Sequence, residues 1–221
     1  SMKLKRLYAA AALTMLLSLI LVLAALPFLP DTIPAHFNSA GELDRWGSKY
    51  ETLVFPGLML FFGPLILGTC RLCREFGAAS ERIVLLSGIA MFAVFDLMTA
   101  YFLYIDFRQV ENLALVPLDL HRLLCGVNGL GLIALGNWIP KLKEPGPVGL
   151  RTPWSMKSTA VWRKCQRFGG WSFAAAGAGS ILAALLVEGV WCCVWMVLAL
   201  TAAGIAGAIY SWYAAKTTTE G

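Results

Sequence analysis

Charge is scarce in this chain. Only 14% of its 221 residues are Asp, Glu, Lys or Arg, whereas 58% are hydrophobic, and the mean hydropathy is +0.70. Soluble domains carry about a quarter charged residues, so one water-soluble core is excluded. Histidine is rarer still, with only His36 and His121. That leaves no credible nucleophile–base pair, and an enzyme is not expected. The six cysteines make no framework: Cys70 and Cys73 form a lone C-x-x-C, and Cys192 and Cys193 sit in an apolar run. A zinc site needs a second pair or histidines at fixed spacing. These cysteines therefore read as small apolar residues of helices, and neither metal nor cofactor is expected.

Long apolar runs are what the chain has instead. Six of them, at 7–29, 53–70, 83–105, about 118–139, 170–187 and 190–214, are long enough to cross a bilayer core of roughly 30 Å. Each must satisfy its own backbone hydrogen bonds in lipid, which favours helices. The expected fold is all-α, a polytopic membrane protein with six transmembrane helices and the lipid bilayer as its first partner. The fourth run starts beside Asp119, His121 and Arg122, so five spans is the competing count.

Charge placement favours six. Of the eighteen Lys and Arg residues, fourteen fall in the odd-numbered connecting segments and four in the even-numbered ones. By the positive-inside rule both termini then face the cytoplasm. Five spans would break that alternation. The net charge of +5 is thereby a topology signal, and no direct nucleic-acid partner is implied. The first run is longer than the roughly 7–15 residues of a signal-peptide core and reads as an uncleaved helix.

Few polar residues interrupt the runs. Asp96 and Asn128 each lie roughly 15 Å below the outer face at about 1.5 Å per residue. An interhelical hydrogen bond between them is the plain expectation, and an ion-coupling role the sharper one. Gly170, Ala174 and Ala178, with Ala203, Gly204, Gly207 and Ala208, are small residues spaced by four. Together with the short Glu188-Gly189 connection they predict a close hairpin of the fifth and sixth spans. Pro56 and Pro64 predict a bend in the second.

Two polar segments remain. The outer one, LPDTIPAHFNSAGELDRWGSKYE over 29–51, carries four acids against two bases. Residues before proline avoid the helical region, and 38–41 is turn chemistry, so a compact, turn-rich cap is expected. Its acidity suits a cationic partner outside the cell, with His36, Asn38 and Asp44 shaping the surface. The inner one, GNWIPKLKEPGPVGLRTPWSMKSTAVWRKCQRFGG over 136–170, holds seven Lys and Arg. Its first half should wander. Ser155 or Ser158 can cap a short helix ending at Phe168 before Gly169-Gly170. Val161, Trp162, Cys165 and Phe168 would form an apolar stripe opposite Arg163, Lys164, Gln166 and Arg167, the pattern of an interfacial helix.

The inner segment resembles the signature of SdpI-like integral membrane proteins of bacteria. The matching positions include Gly136, Asn137, Pro140, Lys141, the core Arg151-Thr152-Pro153-Trp154, then Val161, Trp162 and Arg167. The outer segment resembles a domain of unknown function often fused to that family, through Leu29, Pro30, Ile33, Pro34, His36, Asn38, Gly41, Asp44, Gly47 and Lys49. Glu144-Pro145-Gly146 stands where relatives often have Lys-Pro-Asn, and Gln166 where they often have His. The resemblance implies two regions: 1–82, the first two helices with the outer loop, and 83–221, an SdpI-like four-helix region. It also implies a membrane immunity protein against a secreted toxic peptide, which recruits a cytoplasmic repressor. Arg151, Thr152, Trp154 and Arg167 are the partner-binding candidates on that side, with Arg151 and Trp154 bracing the loop. A small membrane transporter or peptide exporter, using Asp96 and Asn128, is the alternative.

Overall fold

The computed structural model describes residues 2–218. In chain order the elements are α1 (Met2–Ala25), β1 (Thr32–Phe37), β2 (Leu43–Ser48), α2 (Val54–Cys73), α3 (Ala78–Arg108), α4 (Leu120–Trp138), α5 (Thr159–Leu186) and α6 (Val190–Thr217). All six helices are long and apolar enough to cross a membrane. Their outward side chains fit lipid as the solvent: Phe61, Leu130, Leu186 and Ile209 are all exposed. In water such a surface would not stay dispersed.

The fold divides into two units, with boundaries inside α2 and α3: residues up to 65 with 88–120, and residues 66–87 with 121 onward. In the first unit, Val22, Leu29 and Leu103 are buried together, with Leu26 and Leu53 against them. Phe55 stacks on Phe102 at 5.9 Å between centroids. Ser18 is buried and donates to the Met59 sulfur at 3.1 Å.

The acidic loop is more regular than a turn-rich cap. Its residues pair as an antiparallel hairpin, with Ile33 opposite Gly47 and His36 opposite Arg45. Ile33, Ala35 and Phe37 recur at the two-residue period of a strand, with Thr32 and His36 exposed and Pro34 buried between them. The Asn38 side-chain oxygen accepts from Ala40 N (2.9 Å) and Glu42 N (3.0 Å), closing the turn. The segment after α3 docks on this turn, with Leu43 N donating to Glu111 O and Leu113 N to Gly41 O, both at 2.8 Å.

In the second unit α5 and α6 pack along one another as the expected hairpin, and small residues of α5, Gly170 and Ala174 among them, also meet α4. A Cβ on Gly129 would lie 2.7 Å from Gly177 O, and one on Gly136 would lie 2.6 Å from Gly170 O. Only glycine permits that approach. Gly207 of α6 receives the Leu150 side chain. Arg122 from α4 donates to Ala184 O (2.6 Å) and Leu185 O (3.0 Å), satisfying carbonyls in the last turn of α5.

The short interfacial helix expected before Gly169 is the first part of α5, which runs unbroken for 28 residues. Glycine inside a helix costs about 1 kcal/mol relative to alanine. Here the cost is offset because Gly169 and Gly170 are buried against Ile139, Leu150 and Pro140. The apolar stripe follows suit. Val161, Trp162 and Cys165 are buried in protein, and Phe168 stacks on Tyr210 at 4.3 Å.

Candidate functional site

In the first unit the hairpin brings His36 and Asp44 together. His36 Nδ1 and Asp44 Oδ1 are 2.6 Å apart, and both side chains are exposed. Asn38 is engaged in the turn, its Nδ2 also donating to Glu42 Oε2 (3.3 Å), so it holds shape rather than offering a free group. Lys49 Nζ bonds Asp31 Oδ1 at 2.8 Å. That hydrogen bond, with the lysine charge behind it, holds the Asp31 carboxyl below its usual range. Arg45 forms a two-pronged pair with Glu51 at 3.1 and 2.9 Å, which raises the guanidinium further above its ordinary value. Each acid of this hairpin thus has a partner within it. The expected surface exists, and internal pairing already spends most of its charge.

The second unit contains a differently built loop. Ser158 caps α5, its Oγ accepting from Val161 N. Ser155 belongs to the loop itself, fully buried, donating to Leu150 O (2.9 Å) and accepting from Thr152 N (2.8 Å). Thr152 Oγ1 donates to Ser211 Oγ of α6 at 2.8 Å and accepts from Ser155 N at 3.0 Å. Gln166 is fully buried and grips one residue twice: its Oε1 accepts from Leu150 N (2.8 Å) and its Nε2 donates to Leu150 O (3.1 Å). Trp162 Nε1 donates to Leu142 O at 3.0 Å. Neutral groups therefore fasten the loop to α5 and α6, and Arg163 of α5 adds exposed bonds to Lys143 O (3.1 Å) and Glu144 Oε1 (3.2 Å).

This corrects the role expected of the loop arginine. Arg151 is exposed and among the described residues reaches only Pro147 O, at 3.5 Å, so it braces little. Trp154 is half-buried, and its carbonyl accepts from Lys157 N. Arg167 is exposed on a groove of about 600 Å³ that Lys164, Phe168, Trp171 and Tyr210 also line. Among the described residues, Thr152 is the one of the four candidates whose side chain anchors the loop to another helix, through a partly buried bond. The anchor that sequence reasoning missed is Gln166. Its departure from the family pattern was visible, but its burial was not, because a glutamine beside Arg167 reads as part of a polar face.

Asp96 lies in the first unit and Asn128 in the second. Asn128 Nδ2 donates to Leu124 O within its own helix at 2.9 Å. Asp96 is 7% exposed, and its two carboxylate oxygens have no hydrogen-bond partner among the described residues. Asp106, also buried on α3, is a second acid that sequence reasoning missed. It lies one residue beyond the expected third span, where a charge reads as an ordinary boundary residue.

Six apolar helices of this length, with lipid-compatible surfaces, define a multi-pass membrane protein. More particularly, residues 141–211 match the model of the SdpI/YfhL protein family, and residues 13–60 match a domain of unknown function, DUF1648. One matched segment falls in each unit. An uncharacterized protein of Archaeoglobus fulgidus is 44% identical over 39 residues, which are 18% of this chain and 21% of that protein. The match thus spans about a fifth of the length of that curated relative. No solved structure matches the chain.

Proposed function

We propose that this chain is an immunity and signalling protein of a bacterial plasma membrane. It gives resistance to a secreted toxic peptide met on the hairpin side, and sequesters a cytoplasmic repressor on the side of the basic loop. The observation that carries this reading is the match of residues 141–211 to the SdpI/YfhL family. The build of the loop supports it. Because neutral side chains anchor the backbone, exposed Arg151 and Arg167 remain available to an acidic protein surface. Cationic side chains of this kind steer and orient such encounters. The transporter alternative draws on one observation, the unpartnered Asp96 carboxylate.

The test is a deletion strain exposed to cell-free medium from the parent that secretes the peptide. Deletion should sensitise cells, and the full chain should restore survival. A chain carrying His36→Ala and Asp44→Ala should fail to restore it while keeping its melting temperature in detergent. Equal survival with and without the gene would refute immunity. Retained export of a peptide cargo that depends on Asp96 would favour the transporter.

A further inference from the structure

Under the hairpin, the first unit encloses a cavity of about 250 Å³. Val22, Phe55, Phe102 and Leu103 give it apolar walls, and Arg45, Glu51, Thr52 and Asp106 supply its polar groups. Most of these polar groups are already engaged. Arg45 and Glu51 bond each other through two contacts, and the Thr52 hydroxyl donates to Lys49 O at 2.6 Å. Asp106 is the exception. It is 2% exposed and lines the cavity, and among the described residues no group bonds or pairs with its carboxylate. Its backbone is fixed, because Gln109 Nε2 donates to Asp106 O at 2.8 Å.

A carboxylate taken out of water without a counter-charge is costly, and a cation brought into good geometry recovers much of that cost. The nearby guanidinium cannot serve without breaking its own pair. The volume falls below the roughly 300–1,000 Å³ of sites for drug-sized ligands, so it suits one side chain. Aromatic and aliphatic walls suit the methylene stem of a long cationic residue, which buries its stem while its head seeks a polar partner.

We infer that this cavity binds an alkylammonium or guanidinium group on an apolar stem, with Asp106 as the counter-ion and Phe55, Phe102 and Leu103 packing the stem. The site deepens the peptide-recognition reading and rests on it only for the source of the cation, a Lys or Arg side chain of a peptide. A free amine is the other source of the same chemistry.

The experiment uses the full chain in lipid nanodiscs, titrated by calorimetry with n-butylammonium, with uncharged n-pentanol of similar size, and with acetyl-Leu-Lys-amide. Butylammonium should bind saturably and pentanol should not. Asp106→Asn should weaken butylammonium binding at least tenfold while leaving the unliganded melting temperature at or above that of the unsubstituted chain. Val54 lines the cavity mouth and is 57% exposed, so Val54→Trp narrows the space without disturbing a buried position and should also weaken binding. Tighter binding of the lysine peptide than of butylammonium assigns the cation to a peptide. Tighter binding of butylammonium keeps the counter-ion role and removes the peptide link, whatever the survival assay shows. Equal binding of pentanol and butylammonium, or unchanged affinity in Asp106→Asn, would overturn the inference.

Discussion

The hairpin of the first unit and the basic loop of the second solve the same problem with opposite chemistry. Both must hold a polar segment in one shape at the end of apolar helices. The hairpin does it with a strand ladder, the ion pairs Asp31–Lys49 and Glu51–Arg45, and the exposed His36–Asp44 hydrogen bond. The basic loop does it chiefly with neutral groups, the buried Gln166, Ser155 and Trp162 and the half-buried Thr152. Exposed pairs contribute little and are screened by salt. Buried hydrogen bonds are costly to break because the partner is left unsatisfied. The loop rich in charge thus takes its buried anchoring from neutral groups, with Arg163 adding exposed bonds to Lys143 O and Glu144. A loop built that way leaves Arg151 and Arg167 exposed for another molecule.

The contrast can be broken most strongly at Gln166. Gln166→Leu strands the Leu150 N–H and C=O, and each unmet buried group costs about 1–3 kcal/mol. The expected loss is therefore on the order of 3 kcal/mol, read from chemical denaturation in detergent. A smaller loss follows from Gly177→Ala, which places a methyl group 2.5 Å from Gly129 O. Overpacking of this kind costs about 1–3 kcal/mol, and a melting curve would show it. Arg151→Lys should leave that curve where it was, because the side chain makes one long contact. Arginine's planar fork still matters to a carboxylate-bearing partner, so the same variant should reduce repressor recruitment to membranes. Loss of stability in Arg151→Lys would return the residue to a bracing role.

Smallest of all is the hairpin's response to losing its exposed pairs. Arg45→Gln should shift the melting temperature slightly, and 1 M salt should erase the shift. Acid acts in the same place. Asp31 titrates below its ordinary 3.8 when folded, so its contribution is present above that value. It is lost as pH falls through the folded value. Hydrogen exchange of the hairpin amides on acidification reads that loss.

Much of this fold was legible from apolar run length alone, since six helices appear where six runs stand. The Ser158 cap was legible as well, because capping is a local rule. Long-range packing hid the rest. Gly169-Gly170 reads as a helix stop until Pro140 and Leu150 are seen filling the space beside it. The hairpin was masked by prolines and turn residues, although Ile33, Ala35 and Phe37 keep the strand period. Of the candidate residues, His36 and Asp44 meet as a pair. Asp106 could not be found, because its burial depends on a hairpin more than fifty residues earlier folding above it.

Everything proposed about peptide and repressor depends on the two regions facing opposite sides of the membrane. Single cysteines at Ser39, in the exposed hairpin turn, and at Lys157, exposed beside the α5 cap, would be introduced into a chain with its six native cysteines replaced. Intact cells would then receive a membrane-impermeant thiol reagent. Labelling of the Ser39 position at once, and of the Lys157 position only after permeabilisation, is the predicted result. Labelling of both from outside, or of Lys157 alone, would contradict the account.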